Sequence, residues 1–498
     1  MRVRRWAIAA AITMILAGAG PVAADEAELL QRLEKMEEQQ RKMAEEMDRL
    51  RKELEAERAA REKPAVPAAA PVPVPEPAAP AAAEPVEAKE VQEIERRQGI
   101  LTDEVRRLRE MLVLPESKEL KSYYGLGPAA SKVYGLDRGL SIGGYGETNF
   151  SFVAKDKEGA TNVFDYVRFV LYVGYKFNDW IIFNSETEFE HAQTDPTVSS
   201  QEGEVALEFA TLDFLLDPRV NARMGLVLVP VGFLNELHEP PFYFGNTRPP
   251  VETQIIPSTW RANGFGLFGE IIPGLEYRTY GLTSFNAKGF TNQNLRGARQ
   301  SGNRELANDW SWVGRVDYAV VPEVDVGMSG YLGDQGQSQI YGNETDGFSK
   351  PGVFQQIWEL HTQAQARGFW FRALGTYVHI DDAQVLSVDE FIEQNTDGEP
   401  IANTMWGGYF EVAYDVMPLV LDETAQYFAP WFRYSWLDTQ NNVPTGFARD
   451  ERQRRDYYEF GLQYKPIPQV VLKLDYHIQD REVGTLPDEL RLGGGFIF

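Results

Sequence analysis

Cationic side chains recur on one side of segments in which polar and apolar residues alternate. In Asp165–Phe177, for example, the apolar residues Val167, Phe169 and Leu171 alternate with polar positions that include Arg168. A period of two predicts a strand with one face toward water and the other toward an apolar phase. Guanidinium and ammonium groups bind carboxylates and phosphates, so these polar faces predict a cationic wall that could contact anionic solutes. Its members are Arg168, Arg223, Arg315, Arg433, Lys473 and Arg491.

Carboxylates share the polar faces, and one long polar segment adds more of them. The acids predicted on the same faces are Glu147, Glu186, Glu188, Glu208, Glu359 and Glu459. The segment Leu234–Trp260 contains Pro240-Pro241, Pro249-Pro250 and Pro257, which restrict its backbone. We predict that it folds inward as a constriction, with an ordinary surface loop as the alternative. Its candidate residues are Glu236, His238, Glu239, Arg248 and Glu252. Cations opposite such acids would create a transverse field that orients small polar solutes.

Motifs for catalysis and cofactor binding are incomplete. The run Gly264–Gly269 matches G-x-G-x-x-G, but a turn and a strand follow it instead of the helix that binds a pyrophosphate. His238-Glu239 begins an H-E-x-x-H pattern, yet Phe242 occupies the place of the second zinc-binding histidine. The five histidines are scattered, and no G-x-S-x-G occurs. We expect no enzyme activity, no cofactor and no metal.

Strands separated by turns must position these residues. From Gly139 onward the sequence predicts sixteen strands, whose connections alternate between short turns such as Asn178-Asp179 and longer polar segments. An even number of strands brings both ends of the domain to the same side. A ring of this size is too wide for its own side chains to fill. The predicted fold is therefore an all-β transmembrane barrel of about 16 antiparallel strands over residues 139–498, with a water-filled lumen, preceded by an α-helical coiled coil.

The first and the last strand of the predicted barrel resemble strands of known outer-membrane proteins. The last strand alternates apolar residues and ends on Phe498, which resembles the closing strand that the barrel assembly machinery recognises in outer-membrane proteins. The first strand, Ser141-Ile142-Gly143-Gly144-Tyr145-Gly146-Glu147, resembles the opening strand of phosphate-selective-porin-like and DcaP-like porins. In DcaP-like porins a periplasmic coiled coil precedes a sixteen-stranded trimeric barrel. The resemblance implies a homotrimer in contact with outer-membrane lipid and lipopolysaccharide. A histidine–serine site of the outer-membrane phospholipase kind stays open, because its residues need not be neighbours in sequence.

Composition and the first residues agree with an exported protein. The chain has no cysteine, which excludes disulfides and thiolate metal sites. Its net charge of −25 argues against nucleic acid as a partner. Residues 1–24 combine a basic start, a short apolar stretch and small residues at Val22-Ala23-Ala24, which predicts a cleaved signal peptide. We expect residence in the bacterial outer membrane.

The sequence divides the region between the signal peptide and the barrel into four segments. Residues 25–63 and 88–114 carry apolar residues spaced alternately three and four apart, which is typical of coiled coils, with a lone solvated helix as the alternative. Residues 64–87 form a Pro/Ala-rich linker that should be a semi-rigid spacer. Residues 115–138 are a connector for which the pattern predicts no structure. The predicted coiled-coil seam includes Leu33, Met36, Gln40, Leu50, Ile94, Gln98, Leu101 and Leu108.

The function that these features predict is passive diffusion of small hydrophilic solutes, with a preference for small anions such as carboxylates or phosphate. Two alternatives stay open. In the first, the arginines only balance neighbouring carboxylates and the pore selects by size. The protein could also be structural and tether the envelope through its periplasmic coiled coil, with a size-selective or closed barrel. The excess of acidic residues argues against a strong anion preference unless it lies in outer loops and the coiled coil.

Overall fold

The computed structural model describes residues 120–155, 159–191, 203–389, 400–421 and 424–498. The predicted signal peptide, both coiled-coil segments and the Pro/Ala-rich linker lie outside the described residues. Among the described residues, no helix has the length and hydropathy that a helical membrane span requires. The helices are single turns, and most of the described chain is strand.

Sixteen antiparallel strands form a closed barrel in which each strand pairs with its neighbours in sequence order. The last strand pairs with the first, with Tyr145 opposite Ile497, and this pairing closes the ring. The predicted fold class is confirmed for the barrel. Two additional short strands, β10 and β11, form a hairpin within one connection. The strands are β1 (Gly139–Lys155), β2 (Val163–Lys176), β3 (Ile181–Glu190), β4 (Glu204–Asp217), β5 (Val220–Leu228), β6 (Arg261–Ile272), β7 (Leu275–Thr283), β8 (Trp310–Val321), β9 (Val324–Asp334), β10 (Tyr341–Asn343), β11 (Gly347–Ser349), β12 (Phe354–Ala366), β13 (Phe369–Ile380), β14 (Thr404–Tyr414), β15 (Tyr427–Asn442), β16 (Arg454–Ile467), β17 (Val470–Arg481) and β18 (Asp488–Ile497).

The alternation of side chains separates an apolar outer face from a polar inner face. Leu140, Ile142 and Phe265 are exposed on the outside, whereas Glu411 and Arg433 on the inside are fully buried. Successive residues of a strand point to opposite faces, so the same alternation that forms the strands also sorts the charges into the lumen, the interior of the barrel. The run Gly264–Gly269 lies within β6 and is followed by a turn and β7.

Most connections at one end of the barrel are short turns, and the longer exception, residues 415–426 between β14 and β15, contains the 3₁₀ turn Met417–Leu419. Gly274 and Gly368 adopt positive φ angles of 81° and 85° in two of the short turns, a conformation that glycine reaches without the clash of a Cβ. The long connections lie at the opposite end, because the strands alternate in direction. The helices are α1 (Pro128–Ser131), α2 (Val251–Gln254) and α3 (Ala383–Ser387), and 3₁₀ turns occur at Lys132–Gly135, Pro240–Phe242, Ala287–Gly289, Arg296–Ala298, Met417–Leu419 and Glu451–Gln453.

The lumen is occupied in large part by protein, which differs from the predicted water-filled interior. At the end with the long connections, an apolar cluster joins loop residues such as Ile255 and Trp260 to wall residues such as Tyr331 and Tyr409. A second cluster lies at the end with the short turns, where residues that precede β1 pack against the wall. A sixteen-strand wall leaves space that its own side chains cannot fill, and these two insertions use it.

Candidate functional site in the barrel lumen

The connection between β5 and β6, residues 229–260, runs through the lumen, and we call it the lumen loop. Its ends meet where Val229 N donates to Trp260 O at 3.0 Å. The Asn235 side chain closes this neck, because its Nδ2 donates to Val229 O and Trp260 O at 2.6 and 2.7 Å. Its Oδ1 also accepts from Trp260 N at 2.7 Å. A single asparagine therefore holds together the two points at which the chain leaves and rejoins the wall.

Three of the predicted wall cations, Arg433, Lys473 and Arg491, donate hydrogen bonds to the lumen loop. Their acceptors are the carbonyl oxygen of Phe244 at 2.5 Å, the carbonyl oxygen of Gly245 at 2.8 Å and the hydroxyl of Thr247 at 2.7 Å. Hydrogen bonds from charged donors are stronger than those between neutral groups. The cations of β15, β17 and β18 thus hold the middle of the loop against one side of the wall.

Carboxylates pair with the same cations. Arg433 is fully buried and lies 2.9 Å from Glu411 and from Glu459. Arg168 contacts three glutamates at 2.8 Å each. All three lie on the neighbouring strands β1 and β3. Those partners are Glu147, Glu188 and Glu190. Paired charges cancel much of each other's field at a distance, so the cations present less net charge to a solute than the sequence pattern indicates.

The remaining two predicted cations, Arg223 and Arg315, each contact a segment inside the barrel. Arg223 contacts the residues before β1, and Arg315 contacts the lumen loop. Arg223 forms a bidentate pair with Asp213 at 2.8 Å per bond. Its Nη2 also lies 3.1 Å from the Tyr134 hydroxyl in the residues before β1. Arg315 pairs with Asp317 at 2.8 Å and donates to the Gly232 carbonyl oxygen of the lumen loop. All six predicted wall cations lie in the lumen, and their role in solute selection stays a prediction.

The five predicted loop residues do not form one row of acids. Glu236 pairs with Arg278 at 2.9 Å, while Glu252 accepts from the Tyr409 hydroxyl at 2.6 Å. Burial raises the pKa of the Glu252 carboxyl. Arg248 is half-buried near Ser258, with 3.4 Å between its Nη1 and the serine hydroxyl. The charges are therefore distributed along the loop, each with its own partners.

His238 and Glu239 point to two different places. His238 Nε2 lies 3.0 Å from Glu186 and 3.5 Å from Glu208 on the wall. Burial lowers the pKa of His238 to about 4, because a buried site disfavours the charged imidazolium. The Glu239 carboxylate instead accepts hydrogen bonds from Ala129 N at 3.0 Å and Ala130 N at 3.4 Å. Burial raises the pKa of Glu239 to about 8, although these hydrogen bonds act in the opposite direction.

Residues 120–138 form the second insertion, and we call them the connector plug. They lie within residues 115–138, the connector for which the sequence pattern predicts no structure. Apolar residues spaced as on one face of a helix pack against the wall, where Val170 and Ile182 receive them. These residues are Leu126, Ala129, Ala130, Val133 and Tyr134. Their i, i+3, i+4, i+7 spacing was the sequence signal that could have revealed the plug.

Two glycines of the connector plug make room for lumen side chains. A Cβ on Gly127 would lie 2.5 Å from the Glu239 carboxyl carbon, and one on Gly125 would overlap the Arg278 guanidinium. Contacts this close do not occur between real side chains, so the glycines permit the approach. Glu239 links plug and lumen loop directly, and together they obstruct the described lumen from both ends.

Several known proteins are similar to this chain. No family model matches the chain. Among solved structures, the chain is similar to Salmonella typhi OmpF in complex with daunomycin (TM-score 0.48, 13% identity, 73% of this chain and 98% of that chain). It is also similar to the outer membrane channel DcaP of Acinetobacter baumannii (TM-score 0.44, 10% identity, 72% and 97% covered). A third is the anion-selective porin from Comamonas acidovorans (TM-score 0.42, 11% identity, 72% and 100% covered).

A sequence relative is more similar. An uncharacterized protein of Aquifex aeolicus (strain VF5) is 34% identical over 383 residues, which is 75% of this chain and 83% of that protein. The match covers three quarters of this chain, a length comparable to that of the whole barrel domain. The chain therefore belongs to the same family as this Aquifex aeolicus protein.

Proposed function

We propose that the protein is a diffusion channel of the bacterial outer membrane for small hydrophilic solutes. The observation that carries this proposal is a closed ring of strands with an apolar outer face and a charged interior. An apolar belt fits lipid, and a charged lumen fits water and polar solutes. Passage is by diffusion, without a catalytic step, a cofactor or an energy source.

The two insertions limit the size of the solutes. The lumen loop crosses between opposite parts of the wall, since His238 contacts β3 and β4 while Phe244 contacts β15. The connector plug narrows the other end. Side chains that would line an open pore, such as Arg223 and Arg433, are nearly or fully buried. We therefore infer a narrow path that admits small solutes, and a wider one when either insertion is displaced.

A preference for small anions is the finer part of the proposal. All six predicted wall cations lie in the lumen, but five of them contact carboxylates within 3.3 Å. Lys473 instead donates to a backbone carbonyl and lies 3.6 Å from the centre of the Tyr243 ring. Because most of the positive charge is compensated, we expect a weak preference for carboxylates or phosphate, superimposed on selection by size.

We also propose a homotrimer, assembled through the heptad segments 25–63 and 88–114 and embedded in outer-membrane lipid and lipopolysaccharide. The support is the sequence pattern, which favours parallel helices in register. The barrel assembly machinery would recognise the C-terminal strand, which in the barrel pairs with β1. Chemical cross-linking of detergent-extracted protein should give trimers, and monomers alone would contradict this part of the proposal.

Planar-bilayer recording tests the channel. Untagged protein that has been purified from outer membranes should insert and give discrete conductance steps that scale with salt concentration. A vesicle-swelling assay with sugars of increasing size should show uptake of the smallest only. Protein that is folded, as judged by heat-dependent migration in gels, but gives no steps and no swelling would refute the channel.

A structural tether with a closed barrel is the second candidate, and the connector plug is the observation that favours it. The plug joins the barrel interior to the segments that precede it, so a pull on those segments would act on the lumen. Isolation of the cell wall distinguishes the candidates. Co-purification with the wall in the absence of bilayer conductance favours the tether, and conductance without co-purification favours the channel.

A further inference from the structure

Two wall glutamates and one histidine of the lumen loop converge on a point inside the barrel. Glu186 lies on β3, Glu208 on β4 and His238 in the loop, and one ligand atom from each lies within 4.8 Å of the others. Zinc binds histidine nitrogen and carboxylate oxygen at about 2.0–2.2 Å, so two ligands of a tetrahedral ion are about 3.4 Å apart. The distances from His238 Nε2 to the two carboxylates, 3.0 and 3.5 Å, match this spacing.

The orientation of the imidazole suits a metal ligand. His238 Nδ1 lies 3.2 Å from the Asn235 carbonyl oxygen, which can only accept a hydrogen bond. Nδ1 therefore carries the proton, and Nε2 faces the carboxylates. Histidines that bind metals commonly donate their other ring N–H to a carbonyl or carboxylate in this way. Asn235 also closes the neck of the lumen loop, so the same residue orients the histidine and holds the loop.

The carboxylates have oxygen atoms that lack partners. Glu186 and Glu208 are both completely buried, and Oε2 of each has no hydrogen-bond partner among the described residues. In Glu208 this is the oxygen nearest His238, whereas Oε1 is 3.2 Å from Arg261. A buried carboxylate oxygen without a donor is unfavourable. A cation between the three ligand atoms would give Glu208 Oε2 a partner, while in Glu186 the oxygen that faces His238 is Oε1.

A second buried histidine, His361, has a carboxylate partner at both ring nitrogens and can be compared with His238. His361 has a carboxylate 2.8 Å from each ring nitrogen, Glu359 at Nδ1 and Asp317 at Nε2. A protonated imidazole donates to both, so this cluster is satisfied by a proton. At His238 one ring nitrogen is used by a carbonyl, and a single remaining N–H cannot satisfy both glutamates. His361 therefore serves as a matched control.

We propose that Glu186, Glu208 and His238 bind one divalent transition-metal ion of the Zn²⁺ class. The ion receives two ligands from the wall and one from the lumen loop, so it joins the loop to β3 and β4. Three protein ligands leave a fourth position for water. The site goes beyond the proposed channel and does not depend on it, because an ion can fix a loop inside a closed barrel as well as in a pore.

Zinc binding by the intact, untagged protein tests the site. Protein in detergent is stripped with a chelator, dialysed and titrated with ZnCl₂ by calorimetry, and its metal content is measured by mass spectrometry. We expect one Zn²⁺ per chain, with affinity lowered at least 100-fold in His238→Gln and Glu208→Gln and unchanged in His361→Gln. Absence of binding above the detergent blank, or equal affinity in all four proteins, would overturn the proposal.

A measurement on the unaltered protein covers the case in which the variants do not fold. X-ray absorption at the zinc edge of the wild-type protein with one equivalent of Zn²⁺ should show light-atom ligands at about 2.0–2.2 Å with the scattering pattern of one imidazole. A spectrum of oxygen ligands without imidazole would overturn the assignment, since the ion would then lie elsewhere.

Discussion

The lumen loop and the connector plug fill the same barrel from opposite ends, but they are held in different ways. The loop is attached to the wall at both ends, where Val229 and Trp260 pair through their backbones. Charged wall residues then hold its middle. The plug joins the wall at β1, and its packing is mainly apolar, through residues such as Leu126 and Val133. Its polar links are fewer and lie at Glu239, at Asp213, which accepts from the Tyr134 hydroxyl, and at Asn184 and Lys176, which donate to plug carbonyl oxygens.

This difference indicates which insertion is permanent and which is displaceable. Removal of the loop would take one hydrogen-bond acceptor from each of Arg433, Lys473 and Arg491, and each hydrogen bond to a charged group contributes about 1.5–3 kcal/mol. Removal of the plug would expose an apolar surface and take partners from Glu239, Asn184 and Lys176, whereas Arg223 and Asp213 would still pair with each other. We therefore regard the loop as part of the fixed cross-section and the plug as the part that is more easily released.

Deletion of Pro240–Pro250 should have the largest effect. It removes the segment that Arg433 and Lys473 hold, so we expect single-channel conductance to rise several-fold. Deletion within the β10–β11 hairpin, residues 343–347, is the matched control and should leave conductance unchanged. If both deletions behave like the wild type, the loop does not constrict the pore.

Release of the plug should have a smaller effect. In Gly127→Val the new side chain would displace the Glu239 carboxyl from Ala129 N and Ala130 N, so we expect a less firmly seated plug and a conductance increase of up to about twofold. Gly135→Val provides the control, because a Cβ at that position meets no atom within 4 Å. Limited proteolysis should cut the plug in the Gly127 variant only. Equal protection of both variants would contradict a seated plug.

The pH should modulate the plug through Glu239. The pKa of Glu239 is raised from its ordinary 4.5 to about 8 in the seated state, which therefore retains a proton that the released state loses. Seating is strongest below pH 4.5 and weakens as pH rises toward 8. We expect conductance to increase modestly between pH 5 and pH 9, and less so in Glu239→Gln. The groups that face Glu239, namely Lys132 and Glu186, are the same in both proteins. Identical pH profiles would show that Glu239 does not control seating.

Ion selectivity should change least. Arg168 and Arg315 are both paired with carboxylates, so Arg168→Ala and Arg315→Ala should each reduce the anion preference by no more than about twofold in permeability ratio. Reversal potentials under a salt gradient measure this ratio. Arg168 gives the cleaner test, since Arg315 also donates to the lumen loop. A cation preference in the wild type that neither variant alters would contradict an anion channel while leaving the pore itself intact.

Most of the fold could be predicted from the sequence, because alternation and turn residues are local signals. The predicted number of sixteen strands agrees with the barrel, and the strand that the sequence predicts over residues 219–232 is observed as β5, which ends earlier, at Leu228. Pro230 explains that end, since proline has no N–H for the ladder. The lumen contacts were harder to predict. Glu186 and Glu208, the neighbours of His238, lie 52 and 30 residues away from it in sequence. They come close only because the loop folds into the lumen, and the sequence pattern does not specify the path of the loop. The plug was missed although its apolar spacing was visible, because the segment is short and isolated.

The wall cations bind the lumen loop mainly through its backbone. Lys465, Arg433 and Lys473 donate to the carbonyl oxygens of Pro241, Phe244 and Gly245, and every residue type offers such an oxygen. These three bonds would form with any residue type, whereas the side chains of Tyr243, Phe244 and Asn246 in the same stretch contact Glu147, Trp431 and Asp475 of the wall. Over evolution, or in an engineering library, substitutions at positions without such contacts can alter the lining of the channel without changing the course of the chain. In the proposed channel, such substitutions would change which solutes pass while the barrel stays the same.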